Sequence, residues 1–484
     1  MFRLIERPII KYRNLSPSLK AGFWFTVCNF LQKGVSFITV PIFTRIMSKS
    51  DYGVYSVYTS WYSLLIIFLT LNLSYYVFSK GMVKYEDDRD KFVLSLQSLN
   101  TTVTSLFLIV YILFSNFING LLELSTPLMI CMLLQILLEP TINYFTARNR
   151  FEYKYKLVLI ITLGITVLNP LLGILFIKLG LFQDSVFARA LAVTVITVCV
   201  GTILYIYTQK KANCLFSTKY WKYALAFNIP LIPHFLSQTI LNQADRIMIK
   251  ELCNASDVAI YSVAYSIGMA VTLFSQAIQQ AFLPWLYQNM KKNTLQKVTT
   301  VSNVFIILMA TVCLAITIFA PELILLVGSS SYKEAIWVFP PICSSVFFIF
   351  LQGLFSNISY YFEETKKIAI ASVFVAVLNI LLNAIFVKRY GFIAAGYTTL
   401  VCYILYSVVH YYVMRKTCKK NKIEINKLID SKFTLLISGL FIIITVVINL
   451  LYVNFVARLS VIIICILLVL VFRKRIVESY KYFN

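Results

Sequence analysis

The feature that most constrains this chain is the recurrence, along its whole length, of apolar segments of about 20 residues or more. A segment of that length can span the hydrocarbon core of a bilayer as an α-helix. Hydrophobic residues make up 59% of the sequence and charged residues 13%, against roughly a quarter charged in soluble domains. We therefore predict an all-α polytopic membrane protein with about fourteen transmembrane helices. The predicted segments are 21–46, 53–79, 92–117, 124–147, 156–179, 184–208, 220–248, 258–287, 298–327, 334–362, 368–387, 392–414, 433–453 and 456–472.

The connecting loops are short, which leaves no room for a soluble catalytic domain, so we predict that the chain is not an enzyme. The ten cysteines occur singly and indicate neither a disulfide framework nor a zinc site. No GxxxxGK[ST] phosphate-binding loop is present, and we predict no cofactor, although coupling to Na⁺ or H⁺ stays open. The net charge of +24 lies in short clusters between apolar segments, which is typical of anionic lipid headgroup contacts and not of nucleic-acid binding.

Loops rich in Lys and Arg alternate along the chain with loops that contain few of them. Cytoplasmic loops carry the excess of Lys and Arg in membrane proteins. The N-terminal tail 1–20, the loop 417–432 and the C-terminal tail 473–484 are all on the dense side. We therefore predict a multi-pass protein of the cytoplasmic (inner) membrane with both termini in the cytoplasm, and with the tail 1–20 at the membrane surface.

Residues 211–420 repeat features of residues 1–210. Arg45-Ile46-Met47 corresponds to Arg246-Ile247-Met248, and a similar tyrosine pattern follows each of them. Six helices, an even number, separate the copies, so both halves have the same topology. We predict an N-lobe at 21–210 and a C-lobe at 211–416 around a central cavity, with two further helices at 433–472.

Two equivalent helices carry a polar stripe at a similar depth. The stripes consist of Asn29, Lys33 and Ser36 in helix 1, and of His234, Gln238, Asn242 and Asp245 in helix 7. An ionisable side chain at the bilayer centre costs about 2.5 to 3.5 kcal/mol on insertion scales. We therefore predict that these residues line a polar, cationic cavity suited to an anionic group. The alternatives are that Lys33 snorkels or pairs within its own lobe, and that His234 is a neutral interhelical hydrogen-bonding group.

Other polar residues extend this predicted substrate cavity, and they are Arg45, Arg189, Arg246, Gln276, Gln279 and Gln280. Pro41, Pro230 and Pro233 interrupt backbone hydrogen bonding and predict hinges or gates. Arg189 has two equal interpretations, as a guard of an outer vestibule or as a snorkelling residue. Tyr58, Tyr62 and Tyr76 are suited to stacking on sugars or to an interfacial aromatic belt. Glu139 and residues 363–364, toward helix ends, leave an ion or proton site open.

Three motifs are typical of one family of transporters. They are Lys20-Ala21-Gly22 before helix 1, PIFTR at 41–45 followed by DYGVY at 51–55, and NQADR at 242–246 followed by VAIYS at 258–262. Phe282 and Pro284 in helix 8 fit the same pattern. In these motifs the sequence resembles the Wzx-type polysaccharide repeat-unit flippases, within the superfamily that also holds the MATE multidrug exporters and the lipid II flippases.

The resemblance implies a transporter that moves an undecaprenyl-pyrophosphate-linked oligosaccharide from the inner to the outer leaflet of a bacterial membrane by alternating access. It implies a role in O-antigen or capsule assembly, with a polysaccharide polymerase and a chain-length regulator as partners. Lys33 and the residues of helix 7 would then meet the pyrophosphate or the sugars. The alternatives are a MATE-like ion-coupled exporter, which a cationic cavity disfavours, and a membrane glycosyltransferase or polymerase, which needs a large outer loop. A purely structural membrane scaffold is a further alternative.

Overall fold

The computed structural model of the protein describes residues 16–210, 216–458 and 460, and all regular elements in these ranges are helical. The α-helices, numbered here in chain order, are α1 Pro17–Ile46, α2 Lys49–Thr70, α3 Tyr76–Lys84, α4 Arg89–Leu113, α5 Ser115–Leu122, α6 Thr126–Phe151, α7 Tyr155–Lys178, α8 Ser185–Gln209, α9 Thr218–Asn228, α10 Ile232–Leu252, α11 Ala255–Lys291, α12 Leu295–Ile318, α13 Ala320–Gly328, α14 Ala335–Tyr361, α15 Thr365–Tyr390, α16 Ile393–Lys420 and α17 Ser431–Leu450. Short 3₁₀ turns lie at Glu86–Asp88, Ile229–Leu231, Ser330–Tyr332 and Ile425–Lys427.

Twelve helical stretches of the described chain are long and apolar enough to cross a membrane. They coincide with the second to the thirteenth predicted segments. The first predicted segment corresponds to α1, a helix of 30 residues that is not among those twelve. The predicted segment 456–472 lies outside the described residues, apart from 456–458 and 460. The C-terminal tail 473–484 and residues 1–15 of the N-terminal tail also lie outside them. The all-α membrane fold is thus confirmed, whereas the count of fourteen is not.

The chain forms two compact units, Met1–Leu236 and Ser237–Asn484, called here the first and the second unit. In the first unit, α8 packs along α6 and α7, and α1 packs on α7. In the second unit, α14 packs along α16 and α11, and α17 packs on α12. The predicted lobes divide at residue 210, whereas α9 packs against α4 in the first unit.

The second span of the first unit is broken at Leu71 and Asn72, where φ is 51° at both residues. The break removes the α-helical partners of the carbonyls of Thr70 and Leu71, although Leu73 N donates to Thr70 O in a turn at 3.2 Å. Two amide side chains replace them: Asn100 Nδ2 donates to Thr70 O at 2.6 Å, and Asn228 Nδ2 donates to Leu71 O at 2.5 Å. Since an unsatisfied backbone group in hydrocarbon costs several kcal/mol, these asparagines make the break tolerable.

Aromatic packing fixes α9 beside this break. The ring of Tyr220 meets the rings of Tyr85 and Phe92 edge to face, with centroids 4.9 and 5.6 Å away. Trp221 Nε1 donates to Ser95 O at 2.9 Å, which satisfies the indole where it is half-buried. The first part of the seventh predicted span therefore belongs to the core of the first unit.

Helix α14 is the central helix of the second unit, with 89% of an apolar stretch of 18 residues buried. Small residues on its neighbours allow close approach. A Cβ atom added at Gly268 would lie 2.7 Å from Ile342, and one added at Gly396 would lie 3.1 Å from Pro341 and 3.2 Å from Val338 O. In lipid no hydrophobic driving force brings helices together, so they associate through van der Waals packing, and glycine at these contacts allows the close approach that such packing needs.

The contact between α6 and α8 gives a test of this packing. A Cβ atom at Gly201 would lie 2.8 Å from the Cβ atom of Leu138 and 3.0 Å from its carbonyl oxygen. We expect Gly201→Ala to destabilise the protein by about 1 to 3 kcal/mol, since helix backbones must move apart. Thermal unfolding of the purified protein in detergent should show a lower Tm. Gly164→Ala in α7 is the control, because nothing lies within 4 Å of its added Cβ atom. An equal Tm for the two variants would contradict this packing.

Candidate functional site

The first unit contains a polar cavity of about 740 Å³ among its membrane-spanning helices. Its walls come from helices α1, α3, α6, α7 and α8 and from the segment that follows the break after α2. The polar lining residues are Gln32, Ser74, Tyr75, Tyr76, Ser79, Glu139, Asn143, Thr146, Arg150, Thr162, Asn169 and Thr197. Amides, hydroxyls and phenol rings of this kind bind the hydroxyl groups and the apolar faces of sugars.

Glu139 is the carboxylate of this cavity, and it lies next to Pro140 in α6. The hydroxyl of Tyr62 donates to Glu139 Oε2, and Asn143, one turn further along α6, also lines the cavity. Glu139 makes no ion pair with a residue in the described part of the chain. An acceptor group therefore faces the interior of the cavity.

The opposite pole of the cavity is basic. Arg150 lies eleven residues after Glu139 in α6, which places the two Cα atoms about 16 Å apart along the helix. A second hollow shares Tyr76 and Ser79 with the cavity and is also lined by Lys80 and Lys84. The ammonium of Lys84 lies 4.4 Å from the ring centroid of Tyr223. Arginine and lysine groups at this pole are suited to phosphate oxygens.

The break that follows α2 gives this pole its aromatic surface. Tyr75 and Tyr76 follow the break directly, and they are 62% and 63% exposed. Phe235 lies against both of them, with ring centroids 6.5 and 6.1 Å away. Exposed phenol rings at the mouth of a polar cavity offer a flat platform for a sugar ring.

The second unit holds a buried carboxylate, Asp245, with 1% of its surface exposed. Its two oxygens accept from Tyr261 Oη at 2.5 Å, Asn383 Nδ2 at 2.7 Å and Thr399 Oγ1 at 2.8 Å. Asn379 completes the group, since its Nδ2 donates to Thr399 Oγ1 at 3.2 Å. No ion pair with a described residue neutralises Asp245. Three hydrogen-bond donors surround the carboxylate, and a proton or a small hard cation can neutralise its charge.

The neighbouring polar residues of α10 are held by partners in the second unit. Gln238 Nε2 donates to Tyr406 Oη at 2.9 Å and to Ser372 Oγ at 3.2 Å. Asn242 Oδ1 accepts from Tyr265 Oη at 3.0 Å. The guanidinium of Arg246 lies over the ring of Tyr265, 4.4 Å from its centroid, and donates to Gln243 Oε1 at 2.8 Å. These bonds fix the predicted stripe, whose contact with substrate stays a prediction.

The predicted residues of α1 lie on the surface of the first unit. Asn29, Lys33 and Ser36 are exposed, and Lys33 makes no hydrogen bond or ion pair with a described residue. Arg45 Nη1 donates to the carbonyl of Pro41 at 2.6 Å, one turn earlier. Gln32, one position before Lys33, lines the cavity instead. Substrate contact of these residues and the gating role of Pro41 therefore stay predictions.

Arg189 is packed between aromatic rings in the first unit. Its guanidinium carbon lies 3.6 Å from the ring centroid of Phe43 and 3.9 Å from that of Tyr55. The nearby carboxylates are already used, since Asp184 caps α8 and Asp51 accepts from Ser185 Oγ at 2.8 Å. Cation–π contacts thus hold this guanidinium without an ion pair to a described acid.

The remaining predicted residues are placed as follows. His234 is half-buried, and its Nδ1 has no hydrogen-bond partner among the described residues. Pro230 lies in the 3₁₀ turn between α9 and α10, and Pro233 is the second residue of α10. Gln276 and Gln280 are exposed, whereas the amide of Gln279 lies against Gly353. Neither the gate nor these substrate contacts are tested by this geometry.

Side-chain pairs in the two units show the same spacing. Cys28 Sγ lies 2.9 Å from Thr162 Oγ1, Gln32 Nε2 donates to Thr166 Oγ1 at 3.3 Å, and Gln238 Nε2 donates to Ser372 Oγ at 3.2 Å. The partners in each pair are 134 residues apart. An internal repeat predicts such equal separations.

Sequence reasoning missed most of the cavity in the first unit. Gln32, Asn143 and Asn169 sit in apolar helices, where an amide is costly unless it is used. That cost was the available signal. The sequence alone does not tell which of these amides point to a common space, because that depends on helix rotation and on the break after Thr70.

The chain matches the family described as polysaccharide biosynthesis protein over residues 18–290, which is more than half of its length. The chain therefore belongs to this family of polysaccharide biosynthesis proteins. A second family model, MatE, matches residues 230–385. The two matches confirm the resemblance to the superfamily of polysaccharide flippases and MATE exporters.

Two curated relatives and one solved structure are similar to the chain. The protein named Probable low-salt glycan biosynthesis flippase Agl15 from Haloferax volcanii is 23% identical over 398 residues, which cover 79% of this chain and 80% of that protein. A protein of the Lsg locus of Haemophilus influenzae is 22% identical over 277 residues, so the match spans 56% of this chain and just under two thirds, 66%, of that relative. The lipid II flippase MurJ in an inward closed conformation superposes with a TM-score of 0.68 at 16% identity, over 93% of this chain and 99% of that chain. The last similarity shows a shared fold.

The oxygen-rich group around Asp245 yields a prediction. We expect sodium chloride to raise the Tm of the purified protein by about 2 °C relative to choline chloride, as stabilisation by a bound ion requires. Asp245→Asn should abolish this difference because the formal charge that attracts the ion is lost. Asp184→Asn is the control, since Asp184 serves as a helix cap elsewhere. A sodium effect that persists in Asp245→Asn would place the ion at another site.

Proposed function

We propose that this chain is a flippase that moves undecaprenyl-pyrophosphate-linked oligosaccharide repeat units from the inner to the outer leaflet of a bacterial cytoplasmic membrane. The observation that carries the proposal is the polar cavity of about 740 Å³ among membrane-spanning helices, with a basic pole at one end. The flippase names of the relative from Haloferax volcanii and of MurJ support it. On this proposal the protein is a transporter and not an enzyme.

The cavity suits a lipid-linked sugar better than a lipid tail. Its volume is within the range of about 300 to 1,000 Å³ that is usual for small-molecule sites. Hydroxyl and amide groups replace the water that a glycan loses on entering the membrane, which would otherwise cost several kcal/mol per group. Arg150, Lys80 and Lys84 offer charge-assisted hydrogen bonds to a pyrophosphate, and Tyr75 and Tyr76 offer a stacking surface.

The basic pole favours entry from the cytoplasmic side. Basic residues accumulate on the cytoplasmic side of membrane proteins, which agrees with cytoplasmic termini for this chain. Transport would proceed by alternating access. Lys33, His234, Gln238 and Asn242 would be further substrate contacts, and Asp245 would be the site that couples Na⁺ or H⁺. The product would pass to a polysaccharide polymerase and a chain-length regulator, in the assembly of O-antigen or capsule.

A MATE-like exporter of small cations is the second candidate. The match of the MatE family model to residues 230–385 and the buried Asp245 favour it. The basic pole of the first-unit cavity opposes it, because Arg150, Lys80 and Lys84 would repel a cationic substrate. The two candidates therefore differ in the charge of the substrate.

Deletion of the gene tests the proposed function in cells. We expect a polyprenyl-pyrophosphate-linked oligosaccharide to accumulate, since its synthesis continues while its translocation stops. Mass spectrometry of extracted lipids measures it, and the wild-type gene supplied on a plasmid is the control. Unchanged lipid-linked oligosaccharide together with a full amount of surface polysaccharide would refute the proposal.

The basic pole is tested in proteoliposomes that contain a polyprenyl-pyrophosphate disaccharide. Lys80→Ala combined with Lys84→Ala should slow its translocation by about tenfold, because charge-assisted bonds to the pyrophosphate are lost. The matched control is Lys291→Ala combined with Lys292→Ala, which removes two exposed charges from the second unit. Translocation is followed by protection of the sugar from a membrane-impermeant oxidant. Equal rates for the two double variants would remove Lys80 and Lys84 from substrate binding.

A further inference from the structure

Three hydrogen-bond donors on the wall of the first-unit cavity are directed at the wall itself. Gln32 Nε2 donates to Thr166 Oγ1 at 3.3 Å, Thr146 Oγ1 donates to Asn143 O at 3.1 Å, and Thr162 Oγ1 donates to Val158 O at 2.6 Å. The side-chain oxygens of Gln32 and Thr146 keep lone pairs to which no described group donates. The hydroxyl oxygen of Thr162 lies 2.9 Å from the thiol of Cys28 and keeps a further lone pair. The wall around them therefore offers acceptors.

The carboxylate of Glu139 strengthens this bias toward acceptors. Tyr62 directs its hydroxyl hydrogen at Glu139 and not at the cavity. The buried Oδ1 of Asn169, another lining residue, makes no hydrogen bond with a described residue. A ligand that meets these acceptors satisfies them with donors of its own, as hydroxyl and ammonium groups do.

The other pole of the same cavity has the opposite charge. Arg150 lies about 16 Å along α6 from Glu139, and Lys80 and Lys84 line the adjoining hollow. An anionic group is attracted to the basic pole and repelled from the carboxylate. The cavity thus fixes the direction in which a ligand with one charged end can lie.

We infer that Glu139 is a specificity-determining residue, which admits an uncharged or amino-bearing sugar to its end of the cavity and excludes a carboxylated sugar. This inference rests on the proposed flippase function and deepens it. The pyrophosphate lies at the pole of Arg150, and the sugar that reaches Glu139 donates hydroxyl or ammonium hydrogens to the acceptor wall. A uronic acid at that position places a second carboxylate next to half-buried Glu139, which is strongly unfavourable.

The test compares two lipids in proteoliposomes, a polyprenyl-pyrophosphate disaccharide that ends in glucose and one that ends in glucuronic acid. Wild-type protein should move the neutral lipid at least about tenfold faster than the acidic one. Glu139→Gln keeps the shape but removes the charge, so the ratio of the two rates should fall to about one. Translocation is measured by protection of the labelled lipid from a membrane-impermeant reagent.

Two further variants separate recognition from folding. Tyr62→Phe removes the hydrogen bond to Glu139 but leaves the carboxylate, so the rate ratio should stay as in the wild type. Asn143→Asp adds a second carboxylate to the cavity and should increase the preference for the neutral lipid. Equal rates for the two lipids in the wild type, or the same change of ratio in Glu139→Gln and Tyr62→Phe, would overturn the inference. Failure of the wild type to move either lipid would instead overturn the proposed flippase function.

Discussion

The structure depends on one constraint: a backbone in hydrocarbon has no water to satisfy its N–H and C=O groups. Long helices meet this constraint, and a departure from them needs another source of hydrogen bonds. The break after Thr70 has such a source in Asn100 and Asn228, whose amides bind the two released carbonyls. The break in turn exposes Tyr75 and Tyr76 beside the polar cavity. A structural requirement of the backbone thus positions the aromatic surface of the candidate site.

Polar side chains inside the spans fall into two groups, according to whether protein groups already supply their hydrogen bonds. Asp245 is enclosed, with three donors at 2.5 to 2.8 Å, and it has no open face for a large substrate. Glu139 and Arg150 line an open volume, where a ligand can contribute the missing partners. We therefore propose that the enclosed group in the second unit couples an ion and that the open cavity in the first unit binds the glycan.

The sequence predicts the spans well, because the length and apolarity of a span are local properties. Twelve apolar helical stretches of the described chain overlap the second to the thirteenth predicted segments, whereas the break inside 53–79 was not predicted. The polar stripe from Gln238 to Asp245 was also visible from its helical spacing. The cavity was not, because it combines Gln32, Glu139 and Asn169 from three helices with the segment exposed by a break. Glu139 stood out only as an ionisable residue near a proline. Its proposed role as an acceptor depends on the hydrogen bond from Tyr62, which is 77 residues away in sequence and could not be foreseen from local spacing.

The central claim is that the glycan of a lipid-linked oligosaccharide occupies the first-unit cavity with its pyrophosphate toward Arg150. The most direct measurement is a cryo-electron microscopy map of the protein with a polyprenyl-pyrophosphate disaccharide. The claim predicts density for a sugar ring between Tyr76 and Glu139, and density for the pyrophosphate near Arg150 and Lys80. Density for the sugars outside this cavity, or for the pyrophosphate beside Glu139, would contradict it.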